Sequence, residues 1–386
     1  MKRVCIFNAQ IVTAEAVLPE AGLEVCDGRI TRVLERCSNG DIDLQGCYLL
    51  PGLIDIHTHP KEEDGTDPQR LLALCRDLRG IGTAAFLFAI PGVPAKDVHE
   101  VLRKLRRNLE SLDPAEGCLG VYMESPYIPQ ECKGGFSPAA LATPQQVPLS
   151  SLLDAAGEWI RYINVGPELP GAIDVIREAR GRGILVSLGH TAANKACLMQ
   201  ALDAGANTVC HCFNTGFIQA YKEPGVLDVT LSLLAMATDE LACELICDGV
   251  HVDPILVRAL CRAKGPDGVI LITDSIVGGR AASEGEEIRM GPAVYRVVNG
   301  VGRTAEGLLA GSTLSMARAV RNFAHFSGLG LVAAARAGGL VPARLLGIEA
   351  DYGSIRVGKR ALFCVLDNQL NVRQDLCKIL LSGQYP

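Results

Sequence analysis

His57 and His59 close the apolar run Leu53-Ile54-Asp55-Ile56-His57-Thr58-His59. Side chains at i and i+2 of a strand leave the same face, so both imidazoles can grip one cation, and neutral imidazole is the commonest metal ligand. The chain has only seven histidines. Pro51-Gly52 turns the chain just before the run, so the pair ends a buried strand rather than decorating a helix. Further along, Glu124 follows Val121-Tyr122-Met123, a run that would not end in a charge without a partner. A metal ion supplies that partner. His190, His211 and Asp274 likewise follow apolar runs. A carboxylate at Asp274 can serve as general base to a water whose pKa a metal lowers to about 7; it can also simply cap the helix that follows.

The elements that must position these residues are eight short apolar runs: Leu53–Thr58, Thr83–Phe88, Cys118–Glu124, Trp159–Asn164, Ile184–Leu188, Thr208–His211, Ala242–Cys247 and Val269–Thr273. Amphipathic stretches of helical length separate them at Pro68–Arg79, Ala95–Leu112, Gly171–Arg182, Ala193–Ala204, Val226–Thr238 and Pro254–Lys264, and a helical tail starts at Thr313. Strand and helix in alternation signify βα units around a parallel sheet, and eight of them make an α/β fold of the (β/α)8 TIM-barrel kind. Such barrels gather their chemistry at the C-terminal ends of the strands. His57 and His59 end the first run, Glu124 the third, His190 the fifth and His211 the sixth, and Asp274 ends the eighth. His99 and His325 fall in helical stretches and read as surface or packing residues.

Residues 1–50 read instead as short strands, at Val4–Phe7, Ile11–Thr13, Gly22–Cys26, Ile30–Leu34 and Cys47–Leu50, with Asp27-Gly28 as a tight hairpin turn. Strand character returns at Gly353–Lys359 and Ala361–Leu366. The expectation is a small β-sandwich domain built by both termini, from residues 1–50 and 351–386, around a barrel spanning 51–350. Gly279–Gly300, with Glu284, Glu286 and Glu287, reads as a surface loop or hairpin without a catalytic signal.

A net charge of −6 with 21% charged residues leaves no basic footprint for nucleic acid. No apolar run approaches the ~18 residues of a membrane span, and the first residues are too poor in apolar side chains for a signal peptide. The expected location is the cytoplasm, away from membranes. The 15 cysteines include no C-x-x-C pair and an odd number, which points to reduced thiols packed in the core. Cys210 and Cys212 flank His211, and strand alternation turns both away from the face that His211 uses.

The stretches Pro51-Gly52-Leu53-Ile54-Asp55-Ile56-His57-Thr58-His59, Met123-Glu124-Ser125-Pro126-Tyr127-Ile128, Gly189-His190-Thr191, His211-Cys212-Phe213-Asn214, Asp248-Gly249-Val250-His251-Val252, Thr273-Asp274, Leu309-Ala310-Gly311-Ser312 and Gly353-Ser354-Ile355 with Gly358-Lys359-Arg360 stand in this order along the chain. Together they resemble the amidohydrolase superfamily, and within it the N-acetylglucosamine-6-phosphate deacetylases. The resemblance implies a catalytic divalent metal, usually zinc or iron with manganese or cobalt as alternatives, on Glu124, His190 and His211. It implies a second metal position on His57 and His59, hence one or two ions per chain, with Asp274 as the base. Gly135, Asn214, Thr215, Lys222, Asp248, Gly249, Val250, His251 and Leu309 match substrate-contacting positions. The implied partner is a small amino sugar phosphate, and the implied assembly a homodimer.

Two departures bear on the substrate. In Lys133-Gly134-Gly135-Phe136-Ser137-Pro138, Phe136 stands where the family carries a histidine near the scissile carbonyl. Lys222 stands before Glu223-Pro224-Gly225 where the family carries a phosphate-binding arginine; lysine still binds phosphate, but as a point charge without a bidentate fork. The expected reaction is deacetylation of an N-acetyl amino sugar 6-phosphate. The alternatives are hydrolysis of another N-acyl or cyclic amide, and a catalytically silent sugar-phosphate-binding homologue.

Overall fold

The computed structural model of the chain describes residues 3–90, 92–214 and 229–382, so Thr215 and Lys222 lie outside the described residues. Strands β1 (Arg3–Val12), β2 (Val17–Cys26), β3 (Arg29–Leu34), β4 (Ile42–Asp43) and β5 (Tyr48–Pro51) come first. The barrel strands are β6 (Leu53–Thr58), β7 (Thr83–Ala89), β8 (Cys118–Met123), β9 (Ile160–Val165), β10 (Leu185–Leu188), β11 (Thr208–Val209), β12 (Ala242–Ile246) and β13 (Val269–Ile272). They form one parallel sheet in the order of the chain, from β6 to β13. Their residues are nearly all buried, because strands covered on both faces carry continuous apolar runs.

A helix follows each strand. The short Leu149–Ala156, after β8, is one the apolar periodicity misses. Starts are set by local chemistry: Asp67 accepts from the amides of Gln69 and Arg70 with Pro68 at the first helical position, and Asp253 accepts from Ile255 ahead of Pro254. Between β13 and β6 the barrel is closed by side chains as much as by backbone. The buried Asp55 carboxylate accepts from the Thr273 hydroxyl at 2.6 Å and amide at 3.2 Å, and just above it Asp274 N donates to His57 O at 2.8 Å.

The strands of the expected sandwich are hydrogen-bonded into one mixed six-stranded sheet, in which β18 (Phe363–Leu366) of the C-terminus pairs with β5. Its inner face has its own core, among them Ile6, Leu23, Leu49 and Val365, covered by Leu376 and Cys377 of the last helix. The turn at Asp27-Gly28 has both residues left-handed, at φ 47° and 75°. Gly353–Lys359 is not a strand. Gly353 and Gly358 sit at φ 81° and 92°, which breaks an extended ladder.

Gly279–Gly300, expected as a surface loop or hairpin, does hold a hairpin, but one that belongs to a larger sheet. This region opens an antiparallel sheet of β14 (Glu287–Met290), β15 (Ala293–Val298), β16 (Val301–Arg303) and β17 (Leu309–Ser312). Ile288, Met290, Tyr295 and Val297 alternate inward with exposed neighbours, and with Ile276, Val277 and Ala310 they form a separate apolar cluster. The sheet is anchored at the barrel mouth: Ser312 N donates to Asp274 O at 2.8 Å and Ile276 N to Ser312 O at 3.0 Å.

Candidate metal centre and substrate pocket

The five expected ligands come from four strand ends and meet at one point at the barrel mouth, all nearly or fully buried. Glu124 lies between two histidine pairs. Its Oε1 is 3.2 Å from His190 Nε2 and 3.1 Å from His211 Nε2, while its Oε2 is 3.1 Å from His59 Nε2 and 3.5 Å from His57 Nε2. Within each pair the Nε2 atoms are 3.2 Å apart. Metal–ligand bonds of ~2.0–2.1 Å give a tetrahedral shell an edge of ~3.3 Å, so the spacing suits atoms sharing an ion. Asp274 Oδ1 sits 3.2 Å from His59 Nε2 and 3.5 Å from His57 Nε2.

The protons decide how such a cluster can exist. His190 Nδ1 lies 2.8 Å from the Cys132 carbonyl, which only accepts, so Nδ1 carries a proton; His57 Nδ1, 2.9 Å from the Glu244 carboxylate, does too. In the neutral ring Nε2 then presents a lone pair to the carboxylate oxygens of Glu124. Acceptors crowded this closely in a buried site need positive charge between them. The titration shifts say the same. Burial works against charge on His57 and His59, yet Glu124 and Glu244 hold the first well above the usual imidazole range, and Asp274 and Glu124 hold the second at about 9. Burial opposes the charge of Glu124 as well, but the surrounding imidazoles hold it well below the usual carboxylate range. One or two divalent cations would satisfy this donor set of imidazole and carboxylate, which fits zinc, iron, manganese or cobalt.

Three of the converging residues are in left-handed backbone conformations: His190 at φ 50°, His211 at 24° and Asp274 at 46°. Each costs of order ~1–3 kcal/mol. Such a turn at the strand end lets a side chain that alternation would send outward bend over the barrel axis. It also corrects the expectation for Cys210. β11 ends at Val209, the chain turns at His211, and Cys210 faces the interior beneath the metal centre with Sγ 3.7 Å from Glu124 Oε1. Cys212 stays in the hydrophobic core as expected.

Glu244 was not singled out from the sequence. It sits in the middle of β12, completely buried, and its Oε2 accepts from His57 Nδ1 and from His211 N at 3.0 Å. The apolar setting of Ala242–Ile246 marks it in hindsight: a lone carboxylate inside a buried strand has a partner or is not there.

Above this cluster opens a pocket lined by His59, Glu124, His190, His211 and Asp274 on the floor. Gly134, Gly135 and Phe136 form one wall, and Ile276, Met290, Tyr295 and Leu309–Gly311 another. The Tyr295 hydroxyl donates to Gly135 O at 3.1 Å, tying the walls together, and the Phe136 ring packs edge-on at 5.6 Å from His190. Asn214 and His251 complete the lining, with Asn214 Nδ2 donating to His251 O at 2.9 Å. Asp248 does not line it but acts through His251, whose Nδ1 it holds at 2.6 Å while His251 Nε2 has no partner among the described residues. Burial disfavours a charged His251, but Asp248 outweighs it and raises the imidazole above its usual range. Gly249, at φ 80°, supplies the turn, and Val250 is nearly half exposed and off the pocket. Met290 and Tyr295 were missed because Gly279–Gly300 read as a surface loop or hairpin without a catalytic signal, and Ile276, just past Asp274, carried no signal of its own.

The model of the amidohydrolase family matches residues 166–382. Among curated proteins, the N-acetylgalactosamine-6-phosphate deacetylase of Escherichia coli O157:H7 is 32% identical, covering 97% of each chain. The N-acetylglucosamine-6-phosphate deacetylase of Bos taurus is 30% identical over 95% of this chain and 92% of its own. Among solved structures, the Mycobacterium smegmatis N-acetyl-D-glucosamine-6-phosphate deacetylase, in complex with N-acetyl-D-glucosamine-6-phosphate, superposes with a TM-score of 0.86 at 26% identity, covering 96% of this chain and 97% of that one. Barrel, inserted sheet, strand-end histidines and full-length likeness agree: this chain belongs to the amidohydrolase family.

Proposed function

We propose that the protein hydrolyses the amide of an N-acetyl amino sugar 6-phosphate, N-acetylglucosamine 6-phosphate or a close relative, to acetate and the amino sugar phosphate. The observation that carries this reading is Glu124 shared between two histidine pairs, with Asp274 beside it at the floor of a pocket. Relatives named for this reaction on two epimeric sugars support it along almost the full chain. His57, His59, Glu124, His190 and His211 would hold the metal, with zinc the first choice, one or two ions per chain. When bound, it supplies Lewis acidity to the amide carbonyl and to the attacking water.

The chain's own groups do the rest. Asp274 Oδ1, at the rim of the ligand set, accepts the proton of the attacking water and returns it to the departing amine nitrogen. Tyr295 and Gly135 fix the pocket walls, so the sugar is held against the floor rather than tumbling. His251, whose charged form Asp248 favours, turns Nε2 toward a hydroxyl or phosphate oxygen of the substrate. Lys222 and Thr215 join the substrate set by resemblance, as does assembly as a homodimer. No helix among the described residues is long and apolar enough to cross a membrane, and we assign the protein to the cytoplasm.

The test is acetate release from N-acetylglucosamine, N-acetylgalactosamine and N-acetylmannosamine, each with and without 6-phosphate, on protein of measured metal content. Turnover confined to a 6-phosphate supports the reading. Metal-loaded protein that cleaves none of them, yet binds them, would leave the silent homologue standing.

A further inference from the structure

We propose that Cys210 is a metal ligand of this chain, its thiolate closing the barrel side of the metal centre opposite the pocket. This rests on the divalent-metal reading above and adds a sulfur donor to it. Cys210 Sγ lies 3.7 Å from Glu124 Oε1. Bonds of ~2.3 Å from zinc to sulfur and ~2.0–2.2 Å to oxygen give a tetrahedral S···O edge of ~3.5–3.7 Å, so one ion can touch both atoms without movement of either. Ligand atoms of Glu124, Cys210 and His211 lie within 4.8 Å of one another, and so do those of His57, Cys210 and Glu244.

The surroundings are not those of a packing cysteine. Cys212, equally buried, belongs to the large apolar core, whereas Cys210 belongs to no apolar cluster. Its neighbours are polar: the Tyr122 hydroxyl, which also meets Ser187 Oγ at 3.3 Å, donates to Sγ at 3.3 Å. That is the contact expected of an outer partner orienting a ligand. A second observation points the same way. Glu244, completely buried, belongs to a group of possible donors with His57 and Cys210, and its Oε1 has no hydrogen-bond partner among the described residues. The floor of the centre therefore holds more lone pairs than protons to share among them.

Binding exchanges the thiol proton for a metal–sulfur bond, the proton leaving to solvent, and no electrons change hands. A soft sulfur among imidazole and carboxylate ligands favours zinc over manganese and magnesium.

The experiment strips the full-length protein with a chelator and reloads it separately with cobalt(II) and with zinc. Expected are a thiolate-to-cobalt charge-transfer band in the near ultraviolet and a sulfur scatterer at ~2.3 Å in zinc X-ray absorption. Both should vanish in Cys210→Ser and Cys210→Thr. Wild-type protein that takes up the metal but shows only nitrogen and oxygen neighbours overturns the assignment, and the wild-type spectra decide this even if the variants fail to fold. A band that survives in both variants also overturns it. Protein that takes up no metal at all would instead remove the metal reading on which the assignment stands.

Discussion

Replacing Glu244 separates the groups that touch the metal from those that aim them. Both Glu244 and His57 are fully buried, and one carboxylate oxygen accepts from His57 Nδ1 at 2.9 Å and from His211 N at 3.0 Å. A hydrogen bond to a charged group contributes ~1.5–3 kcal/mol, and losing an outer partner of a ligating histidine typically costs ~10–100-fold in metal affinity. The two figures agree, since ~1.4 kcal/mol is tenfold. Glu244→Ala should therefore weaken binding at the His57 position by about 10- to 100-fold. Glu244→Gln keeps an oxygen for both donors but loses the charge, and charge-assisted bonds are about twice as strong as neutral ones. Its loss should be smaller, about 3- to 10-fold, from half of the same energy. Competition against a chromophoric chelator reads both affinities, and the Glu124–His190–His211 position should weaken less. If a folded Glu244→Ala protein binds metal as tightly as the parent, the carboxylate does not orient His57.

Asp274→Asn should retain its metal and lose about 10²–10⁴ in turnover, because an amide preserves shape but takes no proton; acetate release near the parent rate would rule Asp274 out as base. Phe136→His restores a donor beside His190, where such a donor is worth ~2.7–4 kcal/mol in the transition state. It should raise kcat/KM on N-acetylglucosamine 6-phosphate, and a fall would contradict this account of Phe136. Chelation should lower the melting temperature and excess zinc should restore it, because a ligand bound only by the native state stabilises it by mass action. A melt indifferent to both would exclude a bound ion. The Asp248–His251 pair sets a pH window. Its histidine is raised and its aspartate, despite burial, is lowered by the hydrogen bond and charge of His251. The aspartate's share is present above ~3.9 and lost as pH falls through its depressed value; the histidine's is full below ~6.5 and lost as pH rises through its raised value. The stability gap between the parent and His251→Gln should thus shrink at both extremes, and a gap constant across pH would refute the pairing.

The barrel was legible in the chain because strands buried on both faces must be short and continuously apolar, and all eight runs lie within a residue or two of β6 to β13. The convergence of His57, His59, Glu124, His190 and His211 followed from the same fact, since each ends a run and strand ends share one mouth. Periodicity assumes regular backbone, and there it stopped. The left-handed turn at His211 reversed the direction assigned to Cys210, and the two glycines at Gly353 and Gly358 undid a strand. The inserted sheet carried a period-two signal at Ile288, Met290, Tyr295 and Val297, but its polar and glycine-rich flanks hid it. Glu244 and Cys210 needed the three-dimensional structure for a simpler reason. Their partners are 187 and 86 residues away in the chain, and only closure of the barrel brings a buried acid and a buried thiol under the same imidazoles.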